Sequence, residues 1–218
     1  MRIVIAGGHG QIALLLEQQL ATRGDAATAL VRNPDHFADV QEAGAVPVLC
    51  DLESATVDSV ADYLNGADAA VFAAGAGAGS GAARKDTVDF GAAALFATAA
   101  AEAGVRRFLQ VSSVGIESAD SPSVDPEFAV YLKAKKAAED DLKPRDLDWT
   151  ILRPGPLTND APTGLVTLAA PVLPRSSVTR ADVAAVLAEL LTAPQTIGKT
   201  LELTNGSTPI PDAVRALL

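Results

Sequence analysis

The sequence predicts an α/β fold built on a doubly wound parallel sheet, and three observations predict it. Short apolar, β-branched runs alternate with helical patterns along almost the whole chain, as parallel strands joined by crossover helices require. The first run, Ile3-Val4-Ile5-Ala6, stops at Gly7-Gly8-His9-Gly10, and a helical pattern begins at once. At 218 residues and 49% apolar content, the chain can fill the core of a roughly seven-stranded sheet with covering helices.

Strands are expected at 2–6, 27–31, 46–50, 69–73, 106–112, 148–152 and 200–204, and helices at 10–23, 54–64, 86–103, 127–143 and 180–192. The first helix is read from Ile12, Leu15, Leu16 and Leu20, which recur at helical spacing. After the fourth strand comes Ala73 to Gly81, AAGAGAGSG. Its place at a strand end favours backbone close to a ligand over a flexible linker. Alanine-rich 91–103 reads as a close-packed helix face. Thr179 and Asp182, three apart before an apolar helical pattern, read as a capping-box start for the last helix. Residues 155–177 are rich in proline and leucine without clear periodicity and are expected to form the substrate loop, although nothing in them names a substrate. No repeat or second domain is visible, so residues 1–218 are read as one domain with a small C-terminal substrate region. Helices 86–103 and 127–143 could pair in a homodimer or turn their apolar residues to the sheet, and the sequence supports both.

Composition excludes several classes. A net charge of −10 disfavours nucleic acid as a partner, because proteins that track phosphates carry a surplus of Lys and Arg. The one cysteine, Cys50, excludes an internal disulfide and any cysteine-built zinc site, and His9 and His36 show no ligand spacing, so no metal is expected. No leader opens the chain and no apolar run reaches 18 residues, so a cytoplasmic protein without a membrane span is expected.

The residues that carry chemistry stand at strand ends. In Gly7-Gly8-His9-Gly10-Gln11-Ile12-Ala13 only small residues let the backbone turn tightly, so the free N–H groups of the first helical turn point above the strand end. The expected ligand is the pyrophosphate of a dinucleotide. Arg32 stands about twenty residues on, at the end of the second strand, where binders of the non-phosphorylated cofactor carry an acid. A guanidinium fork suits a 2′-phosphate, so NADP(H) is the preferred cofactor, with NAD(H) still accommodated. The alternative is a solvated arginine paired with nearby Asp35. Strand 106–112 runs into Ser112-Ser113-Val114-Gly115, which places hydroxyls at the cleft edge. Tyr131 and Lys135 follow, four apart and so on one helix face. An ammonium beside a phenol stabilises the phenolate, so a tyrosine so placed can donate a proton to a substrate oxygen that a serine holds.

With these residues the chain resembles the short-chain dehydrogenase/reductase superfamily, in the atypical NAD(P)H-binding branch that includes NmrA-like and flavin and biliverdin reductase-like proteins. The resemblance covers nearly the whole length and implies a Rossmann-type fold. Gly7 to Ala13 is similar to the GxxGxxG/A loop, and Arg32 matches the branch's 2′-phosphate arginine. Asp51-Leu52 resembles the pair beside the adenine, and Ala73-Ala74-Gly75 the segment that crosses the cofactor ribose. Asp89-Phe90-Gly91 takes the place of an Asn-x-x-Gly element in many members, and its Asp departs from that pattern, which speaks against an asparagine-dependent proton relay. Ser113, Tyr131 and Lys135 fall where the Ser-Tyr-Lys set lies. The resemblance implies that Tyr131 is the acid, that Lys135 also holds the nicotinamide ribose and that Ser113 orients the substrate, with Ser112 beside the cofactor. Leu152-Arg153-Pro154-Gly155-Pro156 resembles the LRPG turn that meets the nicotinamide, which places Pro154 there.

The function expected is NADPH-dependent hydride transfer to a small carbonyl, quinone or flavin-type acceptor. A cofactor-sensing protein without turnover is one alternative, and the Tyr131/Lys135 pair speaks against it. A nucleotide-sugar epimerase or dehydratase is another, for which 218 residues leave little room in a substrate domain.

Overall fold

A computed structural model of the chain describes residues 1–77, 81–170 and 176–217. Parts of two expected segments, 78–80 of the glycine-rich stretch and 171–175 of the substrate loop, lie outside the described residues.

Period-two alternation decides how the sheet is covered. In β1 (Arg2–Ala6), Ile3 and Ile5 point into one core and Val4 and Ala6 into the other, and all four are buried. A strand buried on both faces must have helices on both sides. They come alternately: α1 (Gln11–Arg23), β2 (Ala26–Val31), α2 (Phe37–Glu42), β3 (Val46–Leu49), α3 (Val57–Leu64) and β4 (Ala69–Phe72). Next are a short α4 (Ala82–Arg84), a π-helical stretch (Lys85–Ala92) and α5 (Ala93–Glu102), then β5 (Arg107–Val111), α6 (Pro126–Leu142) and β6 (Asp148–Pro154). The chain closes with β7 (Leu157–Thr158), β8 (Leu165–Ala169), β9 (Val178–Thr179), α7 (Arg180–Leu190), β10 (Lys199–Asn205), β11 (Thr208–Pro209) and α8 (Ile210–Arg215).

Nine strands form the main sheet among the described residues, in the order β11-β8-β10-β6-β5-β4-β1-β2-β3. The run β3-β2-β1-β4-β5-β6 is parallel throughout and reverses direction of growth between β1 and β4, which opens a crevice above their C-terminal ends. Leu16 and Leu20 of α1 and Val183 and Leu187 of α7 fill one core; Val60, Leu64, Phe72, Phe96 and Phe108 fill the other. The apolar residues Phe96, Ala100, Ala138 and Leu142 of α5 and α6 lie in this second core, so the sheet accounts for these apolar faces. No helix of the described residues is long and apolar enough to cross a membrane.

Several boundaries differ from the sequence reading for local reasons. The helix expected from 54 starts at Val57, because Thr56 caps it: Thr56 Oγ1 accepts from Ser59 N at 3.3 Å and Ser59 Oγ from Thr56 N at 3.2 Å. Asp125 caps α6 by accepting from Glu127 and Phe128 N at 3.0 Å, and Pro126 fills the first position, where no N–H is needed. The expected capping box at 179–182 is only half made. Thr179 Oγ1 accepts from Asp182 N at 3.0 Å, but the buried Asp182 carboxylate turns to Thr163 and Gly164 N, at 3.0 and 2.9 Å. These bonds act with Thr163 Oγ1 to hold its carboxyl below the ordinary range against the opposing effect of burial. The stretch 155–177 is therefore not a plain loop. It holds β7 and β8, and β8 runs antiparallel to β10 with Val166 and Leu168 inward.

One residue breaks the apolar pattern. Glu17 lies on the buried face of α1, neither carboxyl oxygen has a hydrogen-bond partner among the described residues, and burial pushes its pKa up to about 8. The folded chain then holds a proton that the unfolded chain releases above its ordinary value of 4.5. Stability should therefore fall as pH rises from about 5 to about 8, by at most about 4 kcal/mol. Urea unfolding at both ends of that window checks this, and Glu17→Gln should flatten the slope. An equal slope in both proteins would contradict the assignment.

Candidate cofactor cleft and catalytic residues

The glycine loop is shaped by two different demands. Gly7 has φ +78°, and a Cβ there would stand 2.5 Å from Ala74 Cα; a Cβ on Gly8 would stand 2.4 Å from Ala29 Cβ. Both glycines let the ends of β1, β2 and β4 close on one another, and Gly8 N donates to Leu30 O at 3.0 Å. Gly10 differs. Its nearest neighbour for a Cβ is Gly7 O at 3.1 Å, so less protein crowds that position. Gly10 is the N-cap of α1, no side chain caps it, and no acid stands in the first turn. The first-turn N–H groups of Gln11 and Ile12 thus lack a side-chain cap, and with the helix dipole they suit an anion. The residues fit a dinucleotide pyrophosphate.

An open cleft of about 230 Å³ runs from this loop over the ends of β2, β3 and β4. Its walls include the expected Gly7, His9, Gly10, Arg32, Asp51, Leu52, Ala73, Ala74 and Gly75. His9 stacks on His36, with ring centroids 3.6 Å apart, and its Nε2 lies 2.7 Å from Asp39 Oδ2. Cys50 is buried at the cleft wall, where desolvation and then Asp51 push its thiol up, away from thiolate chemistry.

Arg32 is half exposed and does not pair with Asp35. Its Nη1 lies 3.7 Å from Glu53 Oε2, while Asp35 N is held by Asn33 Oδ1 at 3.0 Å in a local turn. Glu53 also accepts from Arg84 Nη2 at 2.7 Å and Thr87 Oγ1 at 2.6 Å. These two bonds hold its carboxyl below the ordinary range. The sequence reading missed Glu53 and Arg84, although Glu53 follows directly on Asp51-Leu52.

The Ser, Tyr and Lys residues lie beyond that cleft, and Asp89 links them to it. Lys135 Nζ is 3.0 Å from Asp89 Oδ1, donates to Val111 O at 3.3 Å, and stands 5.8 Å from the centre of the Tyr131 ring. The other oxygen of Asp89 accepts from Ala76 N at 3.3 Å, next to Gly75 on the cleft wall. Asp89 and Lys135 are both buried, so the aspartate that replaces asparagine in the family pattern becomes the counter-ion of Lys135. A second buried lysine, Lys85, has its Nζ 5.9 Å from the same ring centre and pairs with Glu127 at 3.3 Å. The two serines part company. Ser112 Oγ is buried and donates to Glu139 Oε1 at 2.7 Å, away from solvent, whereas Ser113 is half-buried and donates to Val114 O at 3.1 Å. Glu139 also takes both Arg153 Nε and Nη2 at 2.7 Å, and Arg153 Nη1 reaches Glu117 at 2.6 Å. This buried network fixes α6 against the ends of β5 and β6. Pro154 closes β6 within it, and its carbonyl accepts from Val114 N at 3.2 Å.

An NAD(P)H-binding family model matches residues 7–194, which includes the glycine loop, Arg32, Ser113, Tyr131 and Lys135. The chain belongs to that family, in the atypical branch of the short-chain dehydrogenase/reductase superfamily. It is 34% identical to the "uncharacterized sugar epimerase YhfK" of Bacillus subtilis over the full length of both chains. A provisionally named NAD-dependent epimerase/dehydratase of Bacillus halodurans is 39% identical, with 99% of each chain covered and a TM-score of 0.91. The oxidoreductase ylbE of Lactococcus lactis is 29% identical, with a TM-score of 0.84 over 100% of this chain and 96% of the other. The matched residues 7–194 include the cleft lined by the glycine loop, Arg32 and Glu53.

Proposed function

We propose that the protein is an NADPH-dependent oxidoreductase that reduces a small carbonyl, quinone or flavin-type acceptor. The observation that carries this reading is the chain of contacts from Ala76, next to Gly75 of the cleft wall, through Asp89 to Lys135 and the face of Tyr131. When bound, the cofactor supplies the hydride. Ser113 holds the acceptor oxygen, Tyr131 donates the proton to it, and solvent returns a proton to the tyrosinate. Lys135 places its ammonium beside the phenol ring and, with Pro154, would border the nicotinamide end. Residues 155–177 contribute the substrate side, and residues 1–218 act as one unit. Small molecules are the partners, since a net charge of −10 suits no polyanion.

The names of two relatives favour a second reading, reversible oxidation and reduction of a sugar nucleotide with no net use of cofactor. Anaerobic single-turnover oxidation of NADPH with carbonyls, quinones and flavins separates the readings. Net oxidation with one acceptor class supports the reductase; none with any acceptor, but interconversion of a sugar nucleotide, supports the epimerase. Turnover of neither kind would shift the reading to cofactor sensing.

Arg32 makes a further prediction. A charge-assisted contact to a 2′-phosphate is worth about 1.5–3 kcal/mol, and the nearby Glu53 carboxylate opposes it, so NADPH should bind about tenfold tighter than NADH. Titration calorimetry should show that preference lost in Arg32→Ala, with NADH affinity little changed. Equal affinities in the wild type would contradict it.

A further inference from the structure

One end of the cleft holds an acid between two cations. Arg32 comes from the end of β2 and Arg84 from α4, and both face the Glu53 carboxylate, at 3.7 and 2.7 Å. All three line the same cleft. Asp51 Oδ1 accepts from the Glu53 backbone N at 3.1 Å and anchors the loop, so a turn of Glu53 is a turn of its side chain alone, against the bonds from Arg84 and Thr87 Oγ1. A guanidinium fork matches a phosphate as well as a carboxylate, and here the carboxylate already occupies Arg84. A carboxylate also accepts from a ribose hydroxyl and repels a phosphate. An acid at this place is the group that recognises a free 2′-hydroxyl, delivered here from the loop after β3 rather than from the end of β2.

We propose that Glu53 sets the ratio of NADPH to NADH binding: it receives the 2′-hydroxyl of NAD(H), and a 2′-phosphate must displace it to reach Arg32 and Arg84. The inference rests on the reading of Arg32 as the 2′-phosphate ligand. Arg84 is then a second phosphate ligand, withheld until Glu53 turns away. The wild type is a dual-cofactor protein with a modest preference, and the acid holds that preference down.

The test is titration of wild type, Glu53→Gln and Glu53→Ala with NADPH, NADH, adenosine 2′,5′-bisphosphate and adenosine 5′-monophosphate, with circular dichroism as the check on folding. Both variants should bind NADPH and the bisphosphate about fivefold tighter or more, because a like charge is removed from the site. Glu53→Ala should also weaken NADH, while Glu53→Gln keeps an acceptor and should change NADH little. An NADPH to NADH ratio that stays constant or falls in both variants, while the wild type binds NADPH, would overturn the inference alone. A wild type that binds NADPH no better than NADH, and that loses nothing on Arg32→Ala, would overturn the Arg32 reading and this inference with it.

Discussion

Tyr131→Phe is expected to lower turnover with carbonyl acceptors by about 10²–10⁴ while leaving NADPH affinity nearly unchanged. The ring and its packing on Phe128, with centroids 5.6 Å apart, are kept, and only the proton donor is lost. With flavins or quinones the same variant should lose little, because solvent can protonate those products once hydride has moved. Lys135→Ala should hurt both turnover and cofactor affinity, but it also leaves the buried Asp89 without its counter-ion. Pairing it with Asp89→Asn removes both charges together and separates the catalytic loss from the cost of a stranded carboxylate. Single-turnover kinetics on each variant reads the effect. Carbonyl turnover that survives Tyr131→Phe would remove Tyr131 from the mechanism.

The second large effect is on stability. Glu139 is fully buried and accepts from Arg153 through two nitrogens, from Ser112 and, at 3.1 Å, from Lys143. Burial alone would push the Arg153 guanidinium down, yet Glu139 and then Glu117 hold it above its ordinary value. Glu139→Ala leaves Arg153 with the exposed Glu117 as its remaining carboxylate partner and should cost about 3–5 kcal/mol. Replacing both members by apolar residues of similar volume, Glu139→Leu with Arg153→Met, should cost far less. Urea unfolding of Glu139→Leu, Arg153→Met and the double variant measures the coupling, with Glu139→Ala alongside. A Glu139→Ala loss below about 1 kcal/mol would mean that the network is not what holds α6 to the strand ends.

The first strand, its glycines and the first helix are legible because β1 is buried on both faces and stops where Gly7 must turn left-handed. Arg32 was legible by position, but its neighbour was not. Sequence nearness points to Asp35, whereas Glu53 reaches Arg32 because β3 lies beside β2, and Arg84 reaches Glu53 because the chain returns to the cleft after β4. Residues 165–169 alternate inward and outward as a strand should, yet they stand in a proline-rich stretch and pair with a strand more than thirty residues later. Glu139 reads as one more charge in KKAAEDDL; its burial follows from Arg153, whose position over α6 comes from the sheet order. The π-helical turn over Lys85–Ala92 carries no periodicity signal of its own, and it places Lys85 and Asp89 beside Tyr131 and Lys135.

A crystal structure of the protein with NADP bound should show the pyrophosphate at the N–H groups of Gln11 and Ile12, the 2′-phosphate at Arg32, and the nicotinamide between Pro154 and the Tyr131–Lys135 face. A cofactor bound away from the glycine loop, or one whose nicotinamide lies out of reach of Tyr131, would contradict this placement.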